Sequence, residues 1–163
     1  RDYQAALAIQ PGREETRLAY CVLLRKLNRP QEAIENYEKA LELNPDSVAV
    51  RSSLADMLAR AGYLQEAMRY TAEAIELKPD PRLENNYGVM LIQTGHADEA
   101  AAQFSRAIST DPGFADAYDG LGFAREAQGR YSEAEALYRK AIELNPDFKI
   151  AQNHLSHLRG RIR

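Results

Sequence analysis

Residues 133–146, Glu-Ala-Glu-Ala-Leu-Tyr-Arg-Lys-Ala-Ile-Glu-Leu-Asn-Pro, decide the fold of this chain. Ala134 and Ala141 are seven positions apart with the large Tyr138 between them, a spacing that places small and large residues on one helix face. Pro146 lacks an amide hydrogen and pushes its predecessor out of the helical region, so the helix must end before it. The stretch therefore predicts a packed helix with a fixed end.

The same pattern returns along the chain at a nearly constant period. Five prolines, separated by 34, 34, 33 and 34 residues, stand at Pro11, Pro45, Pro79, Pro112 and Pro146. A Glu-Ala pair keeps the same register at Glu32-Ala33, Glu66-Ala67, Glu99-Ala100 and Glu133-Ala134. Self-similarity at such a period indicates a repeat architecture, in which each unit buries its apolar face only against its neighbours.

A turn residue lies in the middle of each unit. Gly62, Gly95 and Gly129 can take a positive φ, which ends a first helix and turns the chain back, and Asn28 is the next-best residue for that conformation. A column of small residues, Cys21, Ala55, Gly88 and Gly122, faces the alanines of the second helix. Small residues opposite small residues let two helix axes approach closely, and the neighbouring Tyr or Phe fills the space beside them. Cys21 is accordingly interpreted as a small core residue.

These columns resemble the tetratricopeptide repeat, a 34-residue pair of antiparallel helices. The resemblance implies an all-α fold, a right-handed α-solenoid with about four full repeats and a half repeat at each end. We expect a single domain over residues 1–163, divided into a half repeat 1–13, repeats 14–47, 48–80, 81–114 and 115–148, and a C-terminal helix 149–163. Arg17, Arg51 and Glu84 depart from the family, since only Tyr118 keeps the aromatic residue that often opens the first helix. These departures are expected to loosen the packing detail, as is Arg125, which occupies a column that holds leucine in the other repeats.

Composition excludes several classes of function. The formal charge of −3 and a pI of about 5.7 do not favour nucleic-acid binding, which needs a basic stripe on the protein surface. One cysteine allows no internal disulfide, which suits a reducing compartment and slightly favours the cytoplasm without requiring it. No apolar run approaches the roughly 18 residues of a membrane span. Because the first residue is Arg1, we expect the parent protein to continue upstream.

Enzyme signatures are absent from the sequence, so we expect no catalysis, no cofactor and no metal. No glycine-rich phosphate loop or Gly-x-Ser-x-Gly elbow occurs. His154 and His157 are three residues apart, but further metal ligands are not evident, and a solvated helix face is the preferred interpretation of the pair. His96 follows a turn glycine and is expected to be exposed.

In proteins similar to this one, the first helix of each pair lines a concave surface that holds a partner. The resemblance therefore implies partner-binding residues on the polar faces of these helices: Arg25, Lys26, Asp56, Arg60, Arg82, Asn85, Asn86, Val89, Gln93, Asp119, Phe123 and Glu126. Adjacent amides at Asn85 and Asn86 could pair with a bound peptide backbone, although a solvated face is an equal alternative. The face is more basic in the first three repeats and acidic in the fourth, a gradient that could orient a partner.

The function predicted from these observations is a non-catalytic scaffold that binds a protein or an extended peptide. Some members of the family hold the C-terminal carboxylate of a chaperone, but the matching columns here do not supply the cationic set. Two alternatives stay open: a substrate-positioning arm of a larger enzyme, such as a glycosyltransferase, and a self-assembling scaffold in envelope, secretion or pilus assembly. Tyr3 and Leu7, on an unpartnered first element, are expected to allow weak self-association.

Overall fold

The computed structural model describes residues 14–162, which form helices joined by short turns. In chain order the helices are α1 (Glu14–Lys26), α2 (Pro30–Leu43), α3 (Val48–Arg60), α4 (Leu64–Leu77), α5 (Pro81–Gln93), α6 (Ala97–Thr110), α7 (Ala115–Ala127), α8 (Tyr131–Leu144) and α9 (Lys149–Arg161). Residues 14–162 contain no strand, so the predicted all-α helical-repeat fold is confirmed. The half repeat predicted for residues 1–13, with Tyr3 and Leu7, lies outside the described residues.

Helices alternate between two kinds, called here first helices (α1, α3, α5, α7, α9) and second helices (α2, α4, α6, α8). The turn from a first to a second helix has the predicted positive φ: 89° at Gly62, 83° at Gly95, 74° at Gly129 and 55° at Asn28. Glycine takes this conformation without the steric cost that a Cβ atom imposes, and asparagine tolerates it better than other residues. The predicted turn positions are therefore confirmed.

Polar side chains fix the beginnings of two first helices. The Ser47 hydroxyl accepts a hydrogen bond from the backbone N–H of Val50 over 3.2 Å at the start of α3. The Asp80 carboxylate accepts from the backbone N–H of Arg82 over 2.8 Å at the start of α5, where Pro81 occupies the first helical position. Such caps satisfy amide groups that have no partner inside the helix, and a proline at that position has no amide to leave unsatisfied.

By compactness the chain divides into two units, the first ending at Lys78 and the second beginning at Pro79. In the first unit α1 packs on α2, α2 on α3 and α3 on α4. In the second unit each helix packs on the next, and α7 also contacts the first helices α5 and α9. Repeats contact mainly their neighbours, so compactness alone does not separate domains in such an array. The single domain over residues 1–163 and its right-handed superhelix therefore stay predictions.

Aromatic rings in the second unit pack directly on glycines. A Cβ atom on Gly88 or Gly120 would lie 2.7 or 2.4 Å from the buried Phe104 ring, and one on Gly122 would lie 2.7 Å from the Tyr138 ring. The sequence predicted that the rings fill space beside the small column, whereas here they lie over it. Glycine is required at these positions because the ring occupies the volume that any side chain would need.

Two of the charged residues that replace the family's aromatic, the half-buried Arg51 and the buried Glu84, are paired with an opposite charge. Arg51 Nε lies 3.1 Å from Glu73 Oε2 on the adjacent second helix. Glu84 lies 3.4 Å from Arg106 Nε and accepts a hydrogen bond from the Thr110 hydroxyl over 3.0 Å. Instead of loosening the packing, these positions exchange an apolar contact for an ion pair between the two helices of one repeat.

Arg125, in the column that elsewhere holds leucine, is also held by polar groups. Its Nη1 donates to Gln128 Oε1 over 2.8 Å, and its Nε lies 3.5 Å from Glu133. The Gln128 amide in turn donates to Asp98 over 2.7 Å, which connects the turn after α7 to the start of α6. A surface network therefore stands where the other repeats have a leucine.

Cys21 is fully buried, and its thiol donates to the Ala33 carbonyl oxygen over 3.6 Å. Burial raises the pKa of the Cys21 thiol to about 12, despite the opposing effect of the nearby Arg17 cation. A thiol with this pKa carries almost no thiolate at neutral pH and is therefore unreactive. Cys21 is a buried core residue, as its place in the column of small residues predicted.

Candidate functional site

The predicted partner-binding residues fall into two groups, one in each unit. Arg25 and Lys26 on α1 and Asp56 and Arg60 on α3 belong to the first unit. The remaining eight belong to the second unit, on α5 and α7: Arg82, Asn85, Asn86, Val89, Gln93, Asp119, Phe123 and Glu126.

In the first unit three of the predicted residues meet. Arg60 Nε lies 3.0 Å from both carboxylate oxygens of Asp56, and Arg25 Nη1 lies 3.4 Å from one of them. Lys26 is exposed at the end of α1. Exposed ion pairs contribute about 0–1 kcal/mol, so this cluster adds little to stability. Its three cations and one carboxylate leave a positive surface that an anionic group could approach.

On α5 the predicted residues face outward, with one exception. Arg82, Asn86 and Gln93 are exposed, and Val89 has 42% of its surface exposed. Asn85 is half-buried, and its amide oxygen has no hydrogen-bond partner within residues 14–162. A buried amide oxygen without a partner is unusual in folded proteins.

The structure changes the interpretation of Asp119. This carboxylate was predicted to face a partner, but it is only 7% exposed and lies 2.9 Å from Nδ1 of His154 on α9. The His154 ring lies between the rings of Phe123 and Tyr138, with centroids 5.6 and 5.4 Å away. The hydrogen bond that His154 makes to the Asp119 carboxylate raises the pKa of His154, while burial acts against it. Asp119 therefore holds α9 on α7, and His154 is half-buried and not on the solvated face predicted for it.

Glu126 also has partners within the chain. Its side chain is 11% exposed, and it accepts hydrogen bonds from the Tyr138 hydroxyl over 3.0 Å and from Arg161 Nη1 over 2.6 Å. The Arg161 guanidinium also lies over the ring of Tyr131, 5.7 Å from its centroid. The predicted basic part of a partner would therefore meet a carboxylate that already holds a cation.

Around Glu126 an open pocket of about 580 Å³ lies between α7, the start of α8, and α9. This C-terminal pocket includes the side chains of Phe123, Glu126, Tyr131, His154, His157 and Arg161. Sequence reasoning missed Arg161 and Tyr131. Arg161 occupies the same repeat position as Lys26 and Arg60, so extending the repeat register into the last helix could have found it.

Residues 14–162 contain neither a cluster of metal ligands nor a membrane-spanning helix. Between residues 14 and 162 no three His, Cys, Asp or Glu side chains converge as metal ligands would. The described helices include none with the length and apolar character needed to cross a membrane. That the chain needs no metal, cofactor or catalytic group stays a prediction.

Comparison with known families identifies the class of protein. Two sequence models described as tetratricopeptide repeat match residues 22–81 and 115–148, together more than half of the chain. The chain belongs to the tetratricopeptide-repeat family. Its helix pairs, turn glycines and terminal prolines are those that the resemblance implied, and proteins of this class serve as scaffolds for protein interaction.

Two curated proteins match about 44% of the chain. One is the small glutamine-rich tetratricopeptide repeat-containing protein 2 of Mycosarcoma maydis, 34% identical over 72 residues. The other is the mouse protein O-mannosyl-transferase TMTC1, 34% identical over 71 residues. The matched segment covers 20% of the first protein and 8% of the second, so the chain spans only a small part of either relative.

Solved structures match over most of the chain. A crystal structure of MamA is 27% identical, with a TM-score of 0.82 over 88% of this chain and 85% of that one. The first repeat domain of Spaghetti (RPAP3), solved bound to the HSP90 peptide SRMEEVD, is 22% identical. Its TM-score is 0.68 over 71% of this chain and 92% of that one, a likeness that shows the fold alone.

Proposed function

We propose that this chain is a non-catalytic scaffold that holds an extended segment of a protein partner on the faces of its first helices. One observation carries the proposal: Val89 and Phe123, at equivalent positions of the adjacent helices α5 and α7, are 42% and 40% exposed. Two large apolar side chains in register on a polar face form a surface that binding would remove from water. If this face only contacted water, there would be no reason for a large apolar side chain at the same position of both repeats.

The two asparagines supply polar contacts beside these apolar residues. Asn86 is exposed one turn from Val89, and the half-buried Asn85 has an amide oxygen with no hydrogen-bond partner within residues 14–162. An amide both donates and accepts, so the exposed Asn86 can bond the backbone of an extended segment independently of its sequence, and Asn85 can do the same once its side chain turns outward and its buried oxygen gains a partner. Val89 and Phe123 would then select the apolar side chains of that segment.

The first unit is proposed to receive an acidic part of the partner. Arg25 and Arg60 contact the single carboxylate of Asp56, Lys26 follows Arg25 at the end of α1, and all three cations are exposed. Charges at this exposure change the rate and orientation of association more than the affinity. The peptide-bound structure of Spaghetti (RPAP3) shows one protein of this fold with a peptide, which supports the class of partner and not its sequence.

The decisive experiment starts from a partner isolated with this chain as bait and identified by mass spectrometry. Replacing both amides, Asn85→Ala with Asn86→Ala, should weaken its binding several-fold or more, because each lost hydrogen bond costs about 0.5–1.5 kcal/mol. Arg60→Glu should mainly slow association and reduce its salt dependence. Both can be measured by surface plasmon resonance at two salt concentrations.

The matched control is a charge reversal on a second helix. Glu35→Lys on α2 suits this purpose, because Glu35 is exposed and lies on a second helix. Glu135 on α8 does not, because Arg139 and Arg159 both bond its carboxylate. If Glu35→Lys weakened binding as much as the changes on the first helices, the binding surface would lie elsewhere.

A second candidate is a repeat arm that positions the substrate of a larger enzyme. The matched segment of mouse protein O-mannosyl-transferase TMTC1 supports it, since that protein is named as a transferase and matches over 71 residues. Sequencing the parent gene would separate the two candidates. A catalytic domain beside this chain would favour the arm, and its absence would leave the scaffold.

A further inference from the structure

We propose that the C-terminal pocket is a recognition site for a cationic side chain, arginine or lysine, and that Arg161 occupies this site in the unbound chain. The proposal rests on the proposed function and specifies the partner: a protein segment that presents a basic residue to the end of the second unit. Three features of the pocket support the proposal. The carboxylate of Glu126 is oriented by a hydrogen bond, aromatic rings form part of the wall, and Arg161 already places a cation at that carboxylate.

The carboxylate of Glu126 is held ready for a cation. Tyr138 is fully buried, and its hydroxyl donates to Oε2 of Glu126 over 3.0 Å, which fixes the plane of the carboxylate. The other oxygen, Oε1, faces the pocket and accepts from Arg161 over 2.6 Å. A largely buried carboxylate interacts with a cation more strongly than one surrounded by water.

The walls of the pocket suit the flat, weakly hydrated head of an arginine. Phe123 and Tyr131 are 40% and 37% exposed, and the Arg161 guanidinium lies 5.7 Å from the Tyr131 centroid, within the range of cation–π attraction. His154 lines the side next to Phe123 and is already engaged by Asp119, so Asp119 offers no competing site for a cation. Glu126 is therefore the carboxylate that a ligand in this pocket would meet.

Arg161 is positioned to leave the pocket. It is the last residue of α9, and its side chain is 51% exposed while Glu126 is 11% exposed. Because the Arg161 side chain is exposed, it can move into water and leave Glu126 to another cation of the same kind. The pocket volume of about 580 Å³ lies in the range of pockets that hold small ligands, and Arg161 is one of its lining residues.

The test uses a small probe, so that it does not depend on finding the protein partner. N-acetyl-arginine methylamide is titrated into the ¹⁵N-labelled chain, with N-acetyl-citrulline methylamide as the neutral probe of the same shape. Arg161→Ala should bind the arginine probe about three- to tenfold more tightly than the unaltered chain, because a tethered side chain competes at an effective concentration in the millimolar range. Amide shifts should concentrate around Phe123, Glu126 and Tyr131.

Two variants make the outcome decisive. Adding Glu126→Gln to Arg161→Ala should abolish the gain, and glutamine can still accept the Tyr138 hydrogen bond, so the local fold is kept. Arg139→Ala removes an arginine from Glu135 on α8, away from the pocket, and should leave probe binding unchanged. Equal binding of the citrulline probe, or no gain in Arg161→Ala, would overturn the cationic site. Neither result would affect the proposed function, which is tested through Asn85, Asn86 and Arg60.

Discussion

The two units fill the same core positions with different pairs of residues. In the second unit the ring of Phe104 packs over Gly88 of its own repeat and Gly120 of the next. In the second repeat of the first unit, the equivalent pair is Thr71 with Ala55, both buried. The small member is glycine beneath the Phe104 ring and alanine in the repeat with Thr71, so the larger residue is accompanied by the smaller one in these two repeats. The first repeat differs, since it combines the buried ring of Tyr37 with the buried Cys21.

Charged pairs also differ between these two repeats. Arg51 and Glu73 in the first unit are 22 residues apart, as are Glu84 and Arg106 in the second, and both pairs join the two helices of a repeat. The positive residue lies on the first helix in one repeat and on the second helix in the other. What the fold selects is an opposite charge across the pair, because a lone buried charge is costly while either order of a pair is acceptable.

The largest expected effect comes from truncating the ring in one unit and its counterpart in the other. Phe104→Ala should lower the free energy of unfolding by about 3–5 kcal/mol, because the glycines beneath the ring have no side chains to fill the cavity. Thr71→Ala should cost only about 1 kcal/mol, since it removes one methyl group and a hydroxyl bonded to the carbonyl of Ala67. Urea unfolding followed by circular dichroism measures both values.

Amide hydrogen exchange would locate each loss along the chain. Phe104→Ala should reduce protection in α5, α6 and α7, and Thr71→Ala in α3 and α4. Equal costs of the two substitutions would mean that the ring over glycines contributes no more stability than the threonine, which would contradict the expected difference between the two repeats.

A smaller effect is expected from adding volume to a fully buried position of the second unit. Ala107 on α6 is fully buried, so Ala107→Leu should overpack the contact and cost about 1–3 kcal/mol. For a chain of this length that corresponds to a fall in the melting temperature of roughly 2–12 °C. Ala102→Leu on the same helix is the matched control, because Ala102 is exposed. A melting temperature unchanged to within about a degree would show that the register of this repeat is misassigned.

The fold could be predicted from the sequence because its signals are local and repeated. Gly62, Gly95 and Gly129 end one helix, the prolines end the other, and the alanine spacing marks the buried face. The same register predicted that Val89 and Phe123 lie on an outward face, and both are exposed.

Contacts between different repeats could not be predicted in the same way. Asp119 was expected to be open, yet it is buried by His154, a residue 35 positions later on another helix. Repeat register gives the face on which a side chain lies but not which polar residue of the neighbouring repeat reaches it. The sequence signal for Glu126 was equally incomplete, since its partner Arg161 lies in the last helix, where the repeat pattern is interrupted.

The smallest expected effect concerns pH and should be confined to the second unit. Residues 14–78 contain no histidine, whereas His154 joins α9 to α7 in the second unit. Three ionisable groups face its ring: Asp119 and Glu126 from α7 and Tyr138 from α8. The pKa of His154 is raised in the folded chain, chiefly by its hydrogen bond with Asp119. The stabilisation is therefore complete below the ordinary histidine pKa of about 6.5 and is lost as the pH rises through the folded value.

We therefore expect the urea midpoint of the unaltered chain to fall between about pH 6 and pH 8.5 by more than that of His154→Asn, which has no proton to lose in this range. The difference between the two chains in the slope of urea midpoint against pH gives the contribution of His154, because every other titrating group is the same in both. His96→Asn is the matched control, because His96 is exposed in the turn between α5 and α6, and it should keep the slope of the unaltered chain. Amide exchange should place the loss at high pH in α9 and α7, with α1 to α4 unchanged. A slope in His154→Asn equal to that of the unaltered chain would mean that the contact with Asp119 does not depend on the charge of the imidazole. The apolar contacts of Leu155 and Leu158 on α9 with Ala134 and Tyr138 on α8 would then hold the last helix equally well at both ends of this pH range.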